Sequence, residues 1–292
     1  MTGPISFGER LDAAFAAFGR LCVGIDPHAQ LLEQWGRADS AEGVREFGLR
    51  VVEASAGRAG IVKPQVAFFE RHGAAGYAAL ERVLAEARDA GLIVIADVKR
   101  GDIGTSVDAY GEAWLREGSP LESDAMTISA FQGLGSIEQV MHRADAAGKG
   151  LFVLAATSNP EAAAIQRAVL QQSSRAGSTV AQAIVSGVSE WNRARSDAAS
   201  RPLGSVGVVL GATLDLRASG VDIDSEPVRP LLPVLAPGFG HQGGELAELR
   251  GVFGSLSAGV IVSESRSILS AGPDGIVDAI ARRADEIGAI GV

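Results

Sequence analysis

The 292-residue chain contains a single cysteine, Cys22, so no internal disulfide can form. Cys22 sits in an apolar run and reads as a buried thiol. Histidine is almost as scarce. The four copies, His28, His72, His142 and His241, are scattered, and no Cys/His spacing suggests a zinc site. Aromatic residues make up only 5% of the chain, so a core drawn from its 47% hydrophobic residues must be mainly aliphatic. Positive charge is in deficit: a formal net charge of -9 argues against a general nucleic-acid or anionic-membrane surface. A local basic pocket for a small anion stays compatible with that acidic exterior. No apolar run approaches the roughly 20 residues that span a bilayer. The stretch Met1–Glu9 lacks a basic segment followed by an apolar one, and no signal peptide is expected. The expectation is a soluble, cytoplasmic protein with no nucleic-acid or membrane partner.

What is present is a rhythm. Short β-branched runs predict strands near Leu21–Ile25, Gly60–Val66, Leu92–Val98, Asp124–Ile128, Leu151–Ala156, Val206–Leu210, Pro233–Ala236 and Ala258–Val262. They are largely apolar rather than alternating, as for parallel strands covered on both faces. Ala-rich amphipathic stretches lie between them, among them Val44–Ala56, Gly76–Ala90, Ile103–Arg116 and Thr179–Ala194. Eight strand-helix units in one direction predict an α/β fold, a closed (β/α)8 TIM barrel, as one domain over residues 1–292. A helix is expected before the first strand. The gap after the fifth strand is the widest, so residues 160–205 are expected to hold an insertion, either an additional helix or a long loop. The Asp-, Ser- and Pro-containing stretch Ser219–Pro230 reads as an exposed loop.

In such a barrel the catalytic groups belong at the C-terminal ends of the strands. The first predicted strand ends in Gly24-Ile25-Asp26-Pro27-His28. The second carries Lys63-Pro64-Gln65 inside an apolar stretch. A lysine buried there is costly without an anionic partner or ligand. A lysine snorkelling at a strand edge explains the position equally well. After the third strand comes Asp97-Val98-Lys99-Arg100-Gly101-Asp102-Ile103. Asp97 and Lys99 are two apart on a strand and so share a face, which brings both to the mouth of the barrel. Asp102 stands where it could cap a helix starting at Ile103. Composition alone leaves open whether this is a functional cluster or an ordinary ion pair plus a cap.

Gly238-x-Gly240-x-x-Gly243 formally matches a dinucleotide-binding fingerprint, with Glu264 at the distance of a ribose-binding acid. That fingerprint opens a βαβαβ half with several further strands, whereas only one strand follows here. A Gly-rich loop after strand seven, beside Arg266 after strand eight, fits the phosphate site of a barrel instead. Glycine amides approach phosphate oxygens closely, and Arg266 can donate two parallel hydrogen bonds.

Asp97-x-Lys99-x-x-Asp102-Ile103 resembles the signature of the orotidine monophosphate decarboxylase family, in the wording of its longer bacterial branch. Further matches run over nearly the whole chain. Val23-Gly24-Ile25-Asp26 resembles the family's first strand and Lys63-Pro64-Gln65-x-x-Phe68-Phe69-Glu70 its second. Thr157-Ser158-Asn159-Pro160, Gly211-Ala212-Thr213, Pro237-Gly238-x-Gly240-x-Gln242-Gly243-Gly244 and Ser265-Arg266-Ser267 resemble the strand ends five to eight. Two positions depart from the pattern. His241 stands where a small residue is usual, and Ser129-Ala130-Phe131 replaces Asn-Pro-aromatic after the fourth strand.

The resemblance implies loss of CO2 from C6 of orotidine 5'-phosphate to give UMP, without a cofactor or metal. It implies Lys99, Asp97, Asp102 and Lys63 as the catalytic set, with Lys99 stabilising the C6 carbanion and protonating it. Asp97 would face the departing carboxylate. Asp102 would enter the active site of the neighbouring subunit, which requires a homodimer. Asp26 and Lys63 would hold ribose hydroxyls, with Ser106 adding a contact from the partner subunit. Ser158 would bind the pyrimidine edge. Gln242, Arg266 and the amides of Gly240 and Ser265 would hold the phosphate. Two rivals remain: a Mg2+-dependent sugar-phosphate synthase or decarboxylase of the same barrel group, and a non-catalytic nucleotide-binding barrel. A scaffolding role has no supporting feature, since the chain shows no repeats and no charged tail.

Overall fold

The computed structural model describes residues 4–195 and 201–291. Eight parallel strands pair in chain order and close into a barrel: β1 Leu21–Ile25, β2 Ile61–Pro64, β3 Ile93–Arg100, β4 Ala125–Ile128, β5 Gly150–Ala156, β6 Val206–Leu210, β7 Val234–Pro237 and β8 Val260–Glu264. Closure sets Leu21 opposite Val262 and Cys22 opposite Ser263. Every strand lies where its β-branched run predicts it, with ends displaced by a few residues. β3 continues past Val98 to Arg100, and β8 starts late because Gly254–Gly259 forms a 3-10 turn.

Two cores result from the alternation of side chains along each strand. The larger lies between the sheet and the helices, with Val23, Val94, Met126 and Val262 among its buried residues. The smaller fills the barrel itself with Cys22, Ile61, Ile93, Ile95, Ala125, Phe152 and Ile261. Burial pushes the Cys22 thiol up to about 12, which makes it an inert packing group. Stepping two residues up from these inward positions reaches Lys63 after Ile61, Asp97 after Ile95, Thr127 after Ala125 and Ser263 after Ile261. The barrel axis therefore turns from aliphatic to polar at its C-terminal end.

The N-terminal end is plugged by a helix, Phe7–Phe18. Ser6 starts it through a capping box: its hydroxyl accepts the Glu9 N–H at 3.3 Å, and its own N–H donates to the Glu9 carboxylate at 3.0 Å. Phe7 and Leu11 enter the inner core, with the Phe7 ring edge-on to Phe152 at 5.9 Å between centroids. Between β5 and β6 the chain forms short turns at Pro160–Ala162 and Ala163–Gln166, then a helix at Val180–Arg193 packed on both strands. Thr179 caps that helix by accepting the Gln182 N–H at 3.1 Å. Residues 219–230 carry no helix or strand; most are exposed, while Val221 and Ile223 tuck into the outer core.

Candidate active site

A cavity of about 290 Å³ opens at the C-terminal ends of the strands. Its centre is Asp97, which accepts four hydrogen bonds. Lys63 Nζ and Gln65 Nε2 donate to Oδ2 at 3.0 and 2.9 Å; Lys99 Nζ and Thr127 Oγ1 donate to Oδ1 at 2.6 and 2.9 Å. Burial on its own would raise the Asp97 carboxyl, but the Lys63 and Lys99 ammonium groups overcome it and hold Asp97 well below the usual carboxylate range. Burial would likewise lower Lys63; Asp97 and Asp26 reverse that and raise it above the ordinary lysine value. The Lys63 side chain is only 7% exposed, so it is a buried, paired lysine and does not snorkel.

Lys99 arrives by a route that plain strand alternation does not provide. The pairing of β3 with β4 shifts register between Ala96 and Arg100, and Lys99 takes a left-handed φ of 46°. Such a backbone costs a non-glycine residue on the order of 1 kcal/mol. Thr127 supports it by accepting the Lys99 N–H on the same hydroxyl that donates to Asp97, at 2.9 Å. The Lys99 ammonium stays on Asp97 with its side chain 46% exposed toward the cavity mouth.

Asp26 follows β1 and lines the same cavity; its Oδ1 is buried and has no partner among the described residues. An acceptor left in that state is a place for a ligand hydroxyl. Ser265 comes so close to β1 that its Oγ would stand 1.9 Å from a Cβ on Gly24, so only glycine lets the two strand ends meet. After the neighbouring strand β7, Gly238, Gly240 and Gly243 take left-handed φ values of 116°, 67° and 93° and fold the β7 loop into a tight turn over Gly240–Gln242. Gln242 and Arg266 both line this end of the cavity, and Arg266 has no ion pair among the described residues. Ser158 lines the wall after β5. Its loop is held by Gln166, whose Oε1 accepts the Thr157 N–H at 2.8 Å and whose Nε2 donates to Thr157 Oγ1 at 3.0 Å.

The residues named from sequence do not all meet here. Gly240 lies behind the lining. Asp102 and Ser106 lie outside this cavity, next to and within the first turn of the helix Gly104–Leu115. Asp102 does not cap that helix: it accepts the N–H of Ile103, its own neighbour, at 2.8 Å, and the helix begins one residue later than expected. Glu264 is no free ribose-binding acid either. Its buried carboxylate accepts Arg283 Nε at 2.7 Å and Ser267 Oγ at 2.6 Å. With the closed barrel, that removes the dinucleotide reading of the β7 loop.

The model of the "Orotidine 5'-phosphate decarboxylase / HUMPS family" matches residues 19–277. The chain belongs to this family. An orotidine 5'-phosphate decarboxylase of Salinispora arenicola is 47% identical over 282 residues, 97% of this chain and 95% of its own length. The enzyme of that name from a Nocardioides species is 46% identical over 284 residues, covering 97% of this chain and 99% of its own. The crystal structure of a Streptomyces avermitilis protein assigned to the same activity superposes with a TM-score of 0.89 at 44% identity, over 99% of this chain and 97% of that one.

Within this decarboxylase-family fold, sequence reasoning missed Thr127 and gave Gln65 no role. Thr127 hides well, because a β-branched threonine is what a strand selects anyway. Gln65 carried a usable signal: it is two residues past Lys63 and so on the same face. The departures from the family pattern are both at the rim. His241 lines the cavity beside Gln242, and Phe131 is 74% exposed after β4.

Proposed function

We propose that this chain decarboxylates orotidine 5'-phosphate to UMP without a cofactor, acting in the cytoplasm as a homodimer. The observation that carries the reading is the alternation Lys63–Asp97–Lys99, with both oxygens of one buried carboxylate held by two ammonium groups at the floor of the cavity. Breaking the C6–carboxylate bond leaves an electron pair on C6 that the ring delocalises poorly. Fixed cations can stabilise that charge without reorganising. Lys99 is the exposed member of the set, free to reach C6 and to give it the proton that replaces CO2. Asp97, kept ionised by its neighbours, faces the substrate carboxylate; repulsion between the two is relieved as CO2 leaves.

The remaining residues position the substrate. Asp26, with its unpartnered Oδ1, and Lys63 hold the ribose hydroxyls. Ser158 holds the pyrimidine edge, supported from the 160–205 insertion by Gln166. Arg266, Gln242 and the Ser265 amide take the phosphate; the Gly240 N–H donates to Gly244 O at 2.9 Å and so shapes the glycine-rich β7 loop that closes over it. Asp102 and Ser106 act in the neighbouring protomer. Ile103, 61% exposed next to Asp102, and Phe131, 74% exposed after β4, supply apolar surface for that contact.

Purified protein mixed with orotidine 5'-phosphate and EDTA tests the reading, with the ultraviolet change from orotate to uracil as the readout. Rapid decay that disappears in Lys99→Ala is the expected result. A folded protein that binds UMP and gives no decay, but turns over a sugar phosphate once Mg2+ replaces the EDTA, would move the assignment to the metal-dependent members of the family.

A further inference from the structure

Beneath the proposed phosphate site lies a buried acid that no role above uses. Alternation along β8 turns Ser263 to the barrel interior and Glu264 to the helix side, where its side chain is wholly buried. There Glu264 Oε1 accepts Nε and Nη2 of Arg283, on the helix Gly272–Ala289, at 2.7 and 2.5 Å. Glu264 Oε2 accepts Ser267 Oγ at 2.6 Å. The left-handed Gly240 rests directly on this group: a Cβ there would stand 2.9 Å from Ser267 Cβ and 3.2 Å from Glu264 Oε2. One carboxylate therefore supports both halves of the cradle, the Gly240–Gln242 turn by packing and the Ser265-Arg266-Ser267 end through the chain and a hydrogen bond.

A bare carboxylate under an anion site would repel the anion. Arg283 cancels that charge. Its Nη1 also pairs with Glu286 at 2.6 Å, and Arg282 lies 4.0 Å from the same Glu286, so two acids meet two arginines.

We propose that Glu264 and Arg283 are positioning residues for the substrate phosphate. Glu264 fixes the geometry of the two gripping segments, and Arg283 neutralises it so that the cradle accepts an anion. The inference rests on the phosphate assignment made above, and a truncated substrate separates the two. The measurement is kcat/KM for orotidine 5'-phosphate and for orotidine, which lacks the phosphate. In Arg283→Gln the unpaired Glu264 should lower the value for the phosphorylated substrate by about tenfold or more. The value for orotidine should stay within about threefold, because no phosphate is there to be repelled. Adding Glu264→Gln to Arg283→Gln restores neutrality and should recover most of the loss.

Equal losses on both substrates, or a double variant worse than Arg283→Gln alone, would mean mere structural support and overturn the proposal. If Arg283→Gln does not fold, Ser267→Ala serves: it keeps the ion pair and drops one tether to Oε2. It must then impair the phosphorylated substrate more than orotidine, and equal effects overturn the proposal. Wild-type protein that turns over both substrates alike would remove the phosphate assignment itself, and this inference with it.

Discussion

The Thr127 hydroxyl donates to Asp97 Oδ1 at 2.9 Å while accepting the backbone N–H of Lys99 at 2.9 Å. One side chain on β4 thus fixes both the carboxylate and the strained backbone of the lysine beside it. Thr127→Val keeps the shape and removes both bonds. The expected outcome is a fall in kcat/KM for orotidine 5'-phosphate of about a hundredfold, the scale of a 1 Å misplacement. Stability should drop by about 1–3 kcal/mol, since a buried acceptor and an N–H lose their partner. Steady-state kinetics and urea unfolding check the two separately, and full activity in the variant would show that Thr127 does not position Lys99.

The Lys63–Asp97 pair also makes a pH prediction. Asp97 titrates below its unfolded value, so its contribution to stability is complete above about pH 4 and is lost as the pH falls through the folded value. Lys63 titrates above its unfolded value, so its contribution is complete below about pH 10 and is lost as the pH rises through the folded value. Both contributions are therefore intact across the neutral range. Asp97→Asn should lower Tm at neutral pH and flatten its decline below about pH 4, because the titrating group is gone. A variant whose acid limb matches that of the wild type would contradict the shift.

Much of this was legible in the chain itself, for a physical reason. Parallel strands covered on both faces read as apolar runs, so polar interruptions such as Lys63 and Asp97 stand out and point inward by alternation. The register shift that delivers Lys99 did not show, because alternation assumes a regular strand and a bulge is decided by pairing with β4. Thr127 was invisible for the opposite reason: it suits the strand as well as the site. Arg283 lies on the last helix, and nothing in the local pattern tells that it meets Glu264 across the helix layer. Asp102 and Ser106, which the family pattern assigns to the site of a neighbouring subunit, lie outside the cavity that Lys63 and Asp97 line.

Arg266 is a guanidinium without an ion pair among the described residues, at the glycine-rich end of the cavity. Arg266→Ala should therefore leave the fold unchanged, with a stability effect within about 0.5 kcal/mol. It should cost about a hundredfold or more in kcat/KM, because phosphate binding energy is spent at the distant ring. Circular dichroism and kinetics on one preparation make the comparison. An unchanged kcat/KM would sink the phosphate assignment.

The position of Asp102 beside exposed Ile103, outside its own cavity, gives the last prediction. If Asp102 completes the site of the neighbouring protomer, Lys99→Ala and Asp102→Ala are each inactive alone but complementary when mixed. In a mixed dimer, the Asp102→Ala protomer keeps its own Lys99 and receives Asp102 from its partner, so one of the two sites is whole. Random exchange of equal amounts should return about a quarter of all sites to activity, as follows from a two-fold symmetric dimer. Refolding the two variants together and assaying the mixture checks this, with Phe131→Glu as a control expected to weaken the dimer and activity together. A mixture that stays inactive while size measurements show mixed dimers would mean that Asp102 serves its own protomer or none.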